Sequence, residues 1–230
     1  MKKLLIATLL LIGANLAAQI QNPQSNNLSD LQFYIRTNNP SHNAAEGSRY
    51  LTDDFLPARI NGIQNTQLVR FNVADNIVEV KKSTNEIMAL SFTEGYTITI
   101  QDGSSRVYQT HSYTDKDGKR QTTFFELLYQ EGNFKLFLKE NIKFTPAKAA
   151  KSGYEPAKPA KFTRGNDTFY ISGLESDNKM LTLLPKKRKD FVQIFGEHAT
   201  VMEKKIKADK LDLKNEDELT ILFKAYFKLL

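Results

Sequence analysis

The chain has 230 residues, with 32 Lys and Arg against 26 Asp and Glu, a net charge of +6 at pH 7, and no cysteine. The absence of cysteine excludes disulfide bonds, a thiol nucleophile and a thiolate metal site. Residues 19–140 hold 12 basic and 14 acidic side chains, whereas residues 141–230 hold 18 and 12. The positive charge therefore belongs to the C-terminal part, where it indicates either an anionic partner or simply solvated lysines.

Residues 1–18 are predicted to be a signal peptide and not part of the fold. Lys2 and Lys3 precede an apolar run, Leu4 to Ile12, which is too short to cross a bilayer. Cleavage is expected after Ala18, and the alternative is an uncleaved anchor helix. We therefore expect an exported protein, in the periplasm or else secreted or attached to the envelope, without a membrane span after cleavage.

The chain that follows begins with a polar leader and continues as strands. Residues 19–48 are rich in Asn, Gln and Ser and are expected to be mobile, although the apolar patch Leu31–Ile35 is expected to dock as a short strand or helix. Alternating apolar residues on both sides of Asp75 and Asn76 predict a hairpin. Further strands are predicted at 86–92, 96–100, 106–113, 122–129 and 134–144, with a later hairpin at 167–171 and 179–184.

These elements predict a mainly β fold with a C-terminal α part, that is, an α+β protein. About seven successive strands with short connections indicate an antiparallel meander, which must close into a barrel or fold into a sandwich to bury its apolar face. Beyond Pro185 the apolar spacing becomes helical and predicts about three short helices, the last one capped by Asn215. We expect a β body over 49–184 and a helical part over 185–230 packed on it.

The Lys/Pro segment, residues 144–162, interrupts the β body with an internal repeat: Pro146–Lys151 is followed by Pro156–Lys161. Its prolines exclude a continuous helix or a central strand, so we predict an extended, polyproline-like connector that crosses the body. Three apolar residues are expected to hold it there: Phe144, Tyr154 and Phe162. The alternative is a cationic arm for an anionic polymer.

Eight basic residues are the candidate anion-binding residues: Lys148, Lys151, Lys158, Lys161, Lys186, Lys187, Arg188 and Lys189. Residues 186–189 are equally typical of the polar face of a short helix. The expected partner is an envelope protein or an anionic glycan such as lipopolysaccharide. Nucleic acid is not expected, because an exported protein rarely meets it.

The sequence shows no recognisable catalytic or cofactor motif, so we predict no catalytic, cofactor-binding or metal residues. His42, His111 and His198 lack the spacing of metal ligands. Residues 115–118 faintly resemble the start of a calcium loop but lack the glutamate twelve positions from the first ligand, so a hairpin turn is the better interpretation. Paired carboxylates at residues 53–54 would need a second acid from another strand for glycosidase chemistry.

Several stretches resemble a group of uncharacterised exported proteins of Bacteroidota. They are YLTDDFLPARI at 50–60, RFN at 70–72 with NIVE at 76–79, PAKPAKF at 156–162, and the basic residues near Lys186. The Ala-Gln junction also resembles signal peptides of that phylum. The resemblance covers nearly all of the mature chain, implies an envelope location and supplies no activity. No C-terminal sorting sandwich of the kind used there for surface secretion is recognised, which favours the periplasm.

The function predicted from the sequence is a non-catalytic binding or structural role in the cell envelope. One alternative is an anionic-polymer binder that uses the basic C-terminal part. The other is a carboxylate-dependent hydrolase, whose expected sign is a concave pocket holding two carboxylates with shifted pKa values.

Overall fold

The computed structural model describes residues 33–34, 42, 44–90, 95–115, 117–150, 156–173 and 180–230. Within these ranges the strands are β1 (Phe33–Tyr34), β2 (Leu56–Ile60), β3 (Gln67–Asn72), β4 (Ile77–Ser83), β5 (Glu86–Leu90), β6 (Thr97–Ile100), β7 (Val107–Thr114), β8 (Arg120–Glu131), β9 (Phe134–Lys139), β10 (Ile142–Thr145), β11 (Lys161–Arg164), β12 (Thr168–Ser172) and β13 (Met180–Leu183). The helices are α1 (Arg188–Val192), a 3₁₀ helix (Gln193–His198), α2 (Ala199–Ala208) and α3 (Glu216–Phe227). The prediction of a mainly β protein with a C-terminal helical part is confirmed. Over the same ranges, no helix has both the length and the apolar character that crossing a bilayer requires.

Strands β7, β8, β9, β12 and β13 close into a barrel. Each pairs antiparallel with the next, and β13 returns to β7 in parallel. An up-and-down circuit with an odd number of strands begins and ends in the same direction, which is why the closing pair is parallel. The choice between barrel and sandwich, left open by the sequence, is thus decided in favour of a barrel.

The inside of the barrel is filled by side chains. Each of the five strands contributes one buried residue to this core: Tyr113, Phe125, Phe137, Tyr170 and Leu181. The ring of Phe125 is 0% exposed and lies 5.1 Å from that of Tyr170 and 6.2 Å from that of Phe137. As in other small barrels, the interior is packed rather than open as a channel.

Strand β7 also belongs to a sheet that extends beyond the barrel, because β13 pairs with only two of its residues, Ser112 and Tyr113. Residues 107–109 of β7 pair with β6, and the sheet continues through β2, β3, β4 and β5 to β1. Because β2 lies between β3 and β6, the successive strands β5 and β6 are not neighbours, and the predicted run of consecutive pairings is interrupted there. Of the patch predicted to dock, Phe33 and Tyr34 form strand β1, in which Phe33 lies opposite Leu90.

The helices cover the outer face of β9 and β12. In β9, Phe137 points inward while Leu136 and Leu138 belong to the core shared with the helices, as the alternation of side chains along a strand requires. The ring of Phe223 in α3 lies 4.7 Å from that of Phe134. The predicted helix cap is confirmed, because Asn215 Oδ1 accepts the backbone N–H of Glu218 at 3.1 Å.

The Lys/Pro segment folds back on itself, which differs from the predicted extended crossing. Phe144 lies opposite Phe162 in the β10–β11 pair, and Lys148 and Lys158 exchange two backbone hydrogen bonds of 2.8 and 2.9 Å. Pro159 is compatible with this because an antiparallel ladder uses only alternate N–H groups. In this register Pro159 falls at a position whose N–H the ladder does not need. We call residues 142–150 and 156–164 the lysine arm; Tyr154 lies outside the described residues.

Candidate carboxylate cleft

A polar cleft of about 400 Å³ lies between the outer face of the barrel and the start of α3. Seven charged side chains line it: Arg106, Glu126, Glu140, Arg164, Asp167, Lys214 and Glu216. Asn215 adds an amide, and Leu138 and Phe169 add apolar surface. Its volume lies within the range of small-molecule sites, although its lining is far more polar than is usual for them.

The alternation of β8 and β9 brings the two glutamates of the cleft together. Phe125 and Leu127 of β8 face the barrel interior, so Glu126 between them points outward. Glu140 follows β9 directly and lines the same cleft. The β8–β9 hairpin thus places two carboxylates in one concave surface.

Glu140 is held by an arginine from the lysine arm. Arg164 Nη2 lies 3.0 Å from Glu140 Oε1 and 3.0 Å from Asp167 Oδ2. The side chain of Glu140 is only 10% exposed. Burial raises the pKa of Glu140 from 4.5 to about 7, in spite of Arg164, which favours the ionised form. Glu140 therefore exchanges a proton near neutral pH.

Glu126 is held by a neutral donor. The Tyr108 hydroxyl donates a hydrogen bond of 3.1 Å to Glu126 Oε2. Burial raises the pKa of Tyr108 far above its ordinary value, so this hydroxyl keeps its proton. Burial also raises the pKa of Glu126, and the negative charge of Glu126 in turn contributes to the raised pKa of Glu140.

A second, small cavity of about 30 Å³ lies between the two glutamates and the turn of the β3–β4 hairpin. Glu126, Leu138 and Glu140 line both this cavity and the cleft. Its size suits one water molecule. The two carboxylates thus border space on two sides, the polar cleft and this smaller, more apolar cavity.

The basic residues singled out from the sequence lie elsewhere. Lys148, Lys158 and Lys161 are exposed on the lysine arm, and Lys151 lies outside the described residues. Lys186 lines a neighbouring cavity of about 370 Å³ together with Lys214. Three more are exposed at the start of α1: Lys187, Arg188 and Lys189. None of the seven described candidates lines the carboxylate cleft.

The weaker sequence candidates have structural roles. Asp115 Oδ1 accepts the backbone N–H groups of Asp117 and Lys119, both at 2.9 Å, inside the β7–β8 hairpin, so the turn interpretation is confirmed. Asp53 accepts a hydrogen bond from Ser48. His42 packs against Phe144 with ring centroids 4.3 Å apart. In the part of the chain that the structure describes, no three acidic or histidine side chains group as metal ligands.

Sequence reasoning missed the cleft, although one signal was present. Glu126 interrupts the apolar run FFELLY, where a charged residue on an otherwise apolar strand needs a partner. Glu140 and Arg164 carried no such signal, because a charged residue just beyond a strand is ordinary. Their meeting depends on the β10–β11 pairing, which the prolines concealed.

Together these features define a class of protein: a five-stranded barrel with a filled interior, a sheet extension, and an ionisable cleft on its outer face. Comparison of the chain with protein-family models, with curated proteins and with solved structures found no match.

Proposed function

We propose that the protein is an exported component of the cell envelope that binds a neutral, hydroxyl-rich ligand of saccharide type in the carboxylate cleft, without turning it over. The observation that carries this proposal is the pairing of each partly buried glutamate with a protein donor, Tyr108 for Glu126 and Arg164 for Glu140. Those donors orient the carboxylates, so their remaining lone pairs can accept ligand hydroxyls. Export rests on the signal-peptide pattern of residues 1–18 and on the resemblance described above.

The charge balance of the cleft favours a neutral ligand. Its lining holds three cationic side chains, Arg106, Arg164 and Lys214, against four carboxyl groups. A strongly charged ligand of either sign would meet repulsion, and an apolar ligand would desolvate charged groups without replacing their hydrogen bonds. Hydroxyl groups both donate and accept, so a saccharide satisfies both kinds of lining, while Leu138 and Phe169 offer surface to its C–H groups.

The filled barrel also supports an external site. Phe125 and its neighbours occupy the interior, so the small apolar ligand that a hollow barrel would hold has no place there. The barrel then acts as a rigid support for the strands that carry Glu126 and Glu140.

The test is calorimetric binding of a panel of neutral mono- and disaccharides to the protein and to Glu126→Gln. The glutamine keeps the size but offers one acceptor oxygen instead of two. We expect about tenfold weaker binding in the variant, the loss of one good hydrogen bond to a charged group. Glu86→Gln, in the exposed Lys82–Glu86 pair, is the matched control and is expected to bind like the wild type. Absence of binding across the panel, or equal losses in both variants, would overturn the proposal.

The second candidate function is a carboxylate-dependent hydrolase acting on glycosidic bonds. It is favoured by the raised pKa of Glu140, about 7, beside Glu126 in one cleft, because a glycosidase needs one carboxyl group that gives a proton and another that acts as base or nucleophile. Incubation of the bound saccharides with the protein separates the two candidates. Turnover that disappears in both Glu126→Gln and Glu140→Gln supports the hydrolase, and binding without products supports the binding protein.

A further inference from the structure

We propose that the lysine arm binds a linear acidic polysaccharide, which lies between the ammonium groups of Lys148 and Lys158. This site is distinct from the carboxylate cleft and does not depend on the function proposed for that cleft.

The internal repeat brings the two lysines face to face. Lys148 and Lys158 form a hydrogen-bonded pair in an antiparallel ladder, with backbone N–H to carbonyl distances of 2.8 and 2.9 Å. Residues paired in this way project their side chains to the same face, with Cα atoms about 5.5 Å apart. Each lysine is the third residue of its Pro-Ala-Lys unit, so the repetition of that unit in antiparallel strands creates the pair.

Two like charges directly opposite each other destabilise a β pair. Both lysines are exposed, and the described part of the arm contains no Asp or Glu to compensate them. Lys143 and Lys161 add two more exposed cations, whereas Arg164 is bonded to Glu140 and Asp167 at the root. An anionic group between Lys148 and Lys158 would turn this repulsion into two favourable contacts.

The root of the arm is well anchored, which fixes the base from which the arm projects. The ring of Phe162 lies 5.1 Å from that of Phe144, and His42 packs on both. Phe162 N–H donates to Glu46 O at 2.8 Å, and Glu46 N–H donates to Ala160 O at 2.9 Å. Beyond this root the ladder rests on the Lys148–Lys158 hydrogen bonds, and a lone two-stranded ribbon is only marginally stable.

The arm suits a polysaccharide better than a nucleic acid. Proteins that bind single strands stack the bases on exposed aromatic rings. The aromatic residues of the described arm, Phe144 and Phe162, are instead packed against His42 at the root. A glycan with regularly spaced carboxylate or sulfate groups needs only cations along its path, which the lysines supply.

The test measures binding of a fluorescent heparin-derived oligosaccharide to the purified protein by anisotropy, at low and at high salt. We expect affinity that falls steeply with salt, because the contacts are between exposed charges. Lys148→Gln/Lys158→Gln is expected to bind about tenfold more weakly, which corresponds to two lost charge contacts of modest strength. The matched control, Lys204→Gln/Lys228→Gln, removes the same charge from exposed positions of the helical part and is expected to bind within about twofold of the wild type.

Three results would overturn the proposal: equal weakening by the two double variants, absence of binding at low salt, or tighter binding of an unlabelled oligothymidine competitor than of the glycan. Both pairs of lysines are exposed, and thermal melts will show that the variants fold. Glu126→Gln is expected to leave this binding unchanged, so failure at the arm and failure at the carboxylate cleft are distinguishable.

Discussion

Arg164 Nη2 donates a hydrogen bond to Glu140 Oε1 at 3.0 Å and so ties the lysine arm to the carboxylate cleft. Arg164 is the last residue of β11, while Glu140 follows the barrel strand β9. The contact leaves Arg164 half exposed and Glu140 nearly buried. The buried partner bears most of the desolvation cost, so the stability of the protein depends on the protonation of Glu140.

Glu140→Gln is expected to raise the free energy of unfolding above pH 7. The pKa of Glu140 rises on folding from 4.5 to about 7, so the folded state binds more protons than the unfolded state between these values. The wild type therefore loses stability as pH rises through this window, by about 1 to 3 kcal/mol, and the glutamine variant does not. Urea unfolding at pH 4.5 and pH 8 measures the difference.

The control is Glu86→Gln, whose carboxylate is about half exposed beside Lys82 and should change stability by less than about 1 kcal/mol at either pH. A pH dependence in Glu140→Gln as large as in the wild type would show that Glu140 is not the group responsible.

Phe125→Ala is expected to lower the free energy of unfolding by about 3 to 5 kcal/mol, the usual cost of removing a buried aromatic ring. Phe125 is 0% exposed and contacts rings from three other barrel strands, so its loss leaves a cavity at the centre. Val201→Ala, at a position 51% exposed on α2, should cost less than about 1 kcal/mol. Similar losses in both variants would contradict the description of a packed barrel.

Arg70 and Glu79 lie in two of the stretches that carry the family resemblance, and they form a buried ion pair. We therefore expect strong energetic coupling between these two residues. Arg70 Nη2 lies 2.6 Å from Glu79 Oε2, with side-chain exposures of 15% and 0%, and Arg70 lies 3.7 Å from the Tyr50 ring centroid. Glu79→Leu should lower the free energy of unfolding by about 3 to 5 kcal/mol, because it leaves the arginine charge uncompensated. Arg70→Met combined with Glu79→Leu should cost clearly less than the sum of the single changes. Additive effects in a double-mutant cycle would show that the pair contributes nothing as a unit.

Gly173→Ala is expected to lower the free energy of unfolding by about 3 kcal/mol or more, through positive φ and a steric clash together. Gly173 has φ +84°, and a Cβ there would lie 2.2 Å from Asn133 O. Gly132 is the matched control, since it has φ +54° with no atom within 4 Å of a Cβ. Gly132→Ala should cost only about 1 to 2 kcal/mol for the left-handed backbone. Equal losses in thermal or urea unfolding would remove the steric part of the explanation.

Most of the secondary structure was predictable because it depends on local patterns. Alternation around Asp75 and Asn76 predicted the β3–β4 hairpin, and Asn215 predicted the start of α3. Pairing across long stretches was not predictable. The insertion of β2 between β3 and β6 depends on which apolar faces pack together, and the local sequence carries no signal of that packing.

The strand pairing within the Lys/Pro segment was likewise not predictable from the sequence. Its prolines correctly indicated that no continuous helix or regular central strand runs through it. They did not indicate that Phe144 would pair with Phe162. Proline is excluded from a strand only where the ladder needs its N–H, and the sequence does not show which positions those are.

By itself the sequence determined the β-rich body, the helical C-terminal part, the turns and the position of the basic charge, since each follows from the spacing of residue types along the chain. Only the tertiary structure decided that the barrel closes with a parallel pair, that Glu126 and Glu140 share a cleft, and that Lys148 faces Lys158. The physical reason is that barrel closure and strand register depend on contacts between residues far apart in sequence. The shifted pKa of Glu140 follows from burial that those contacts create.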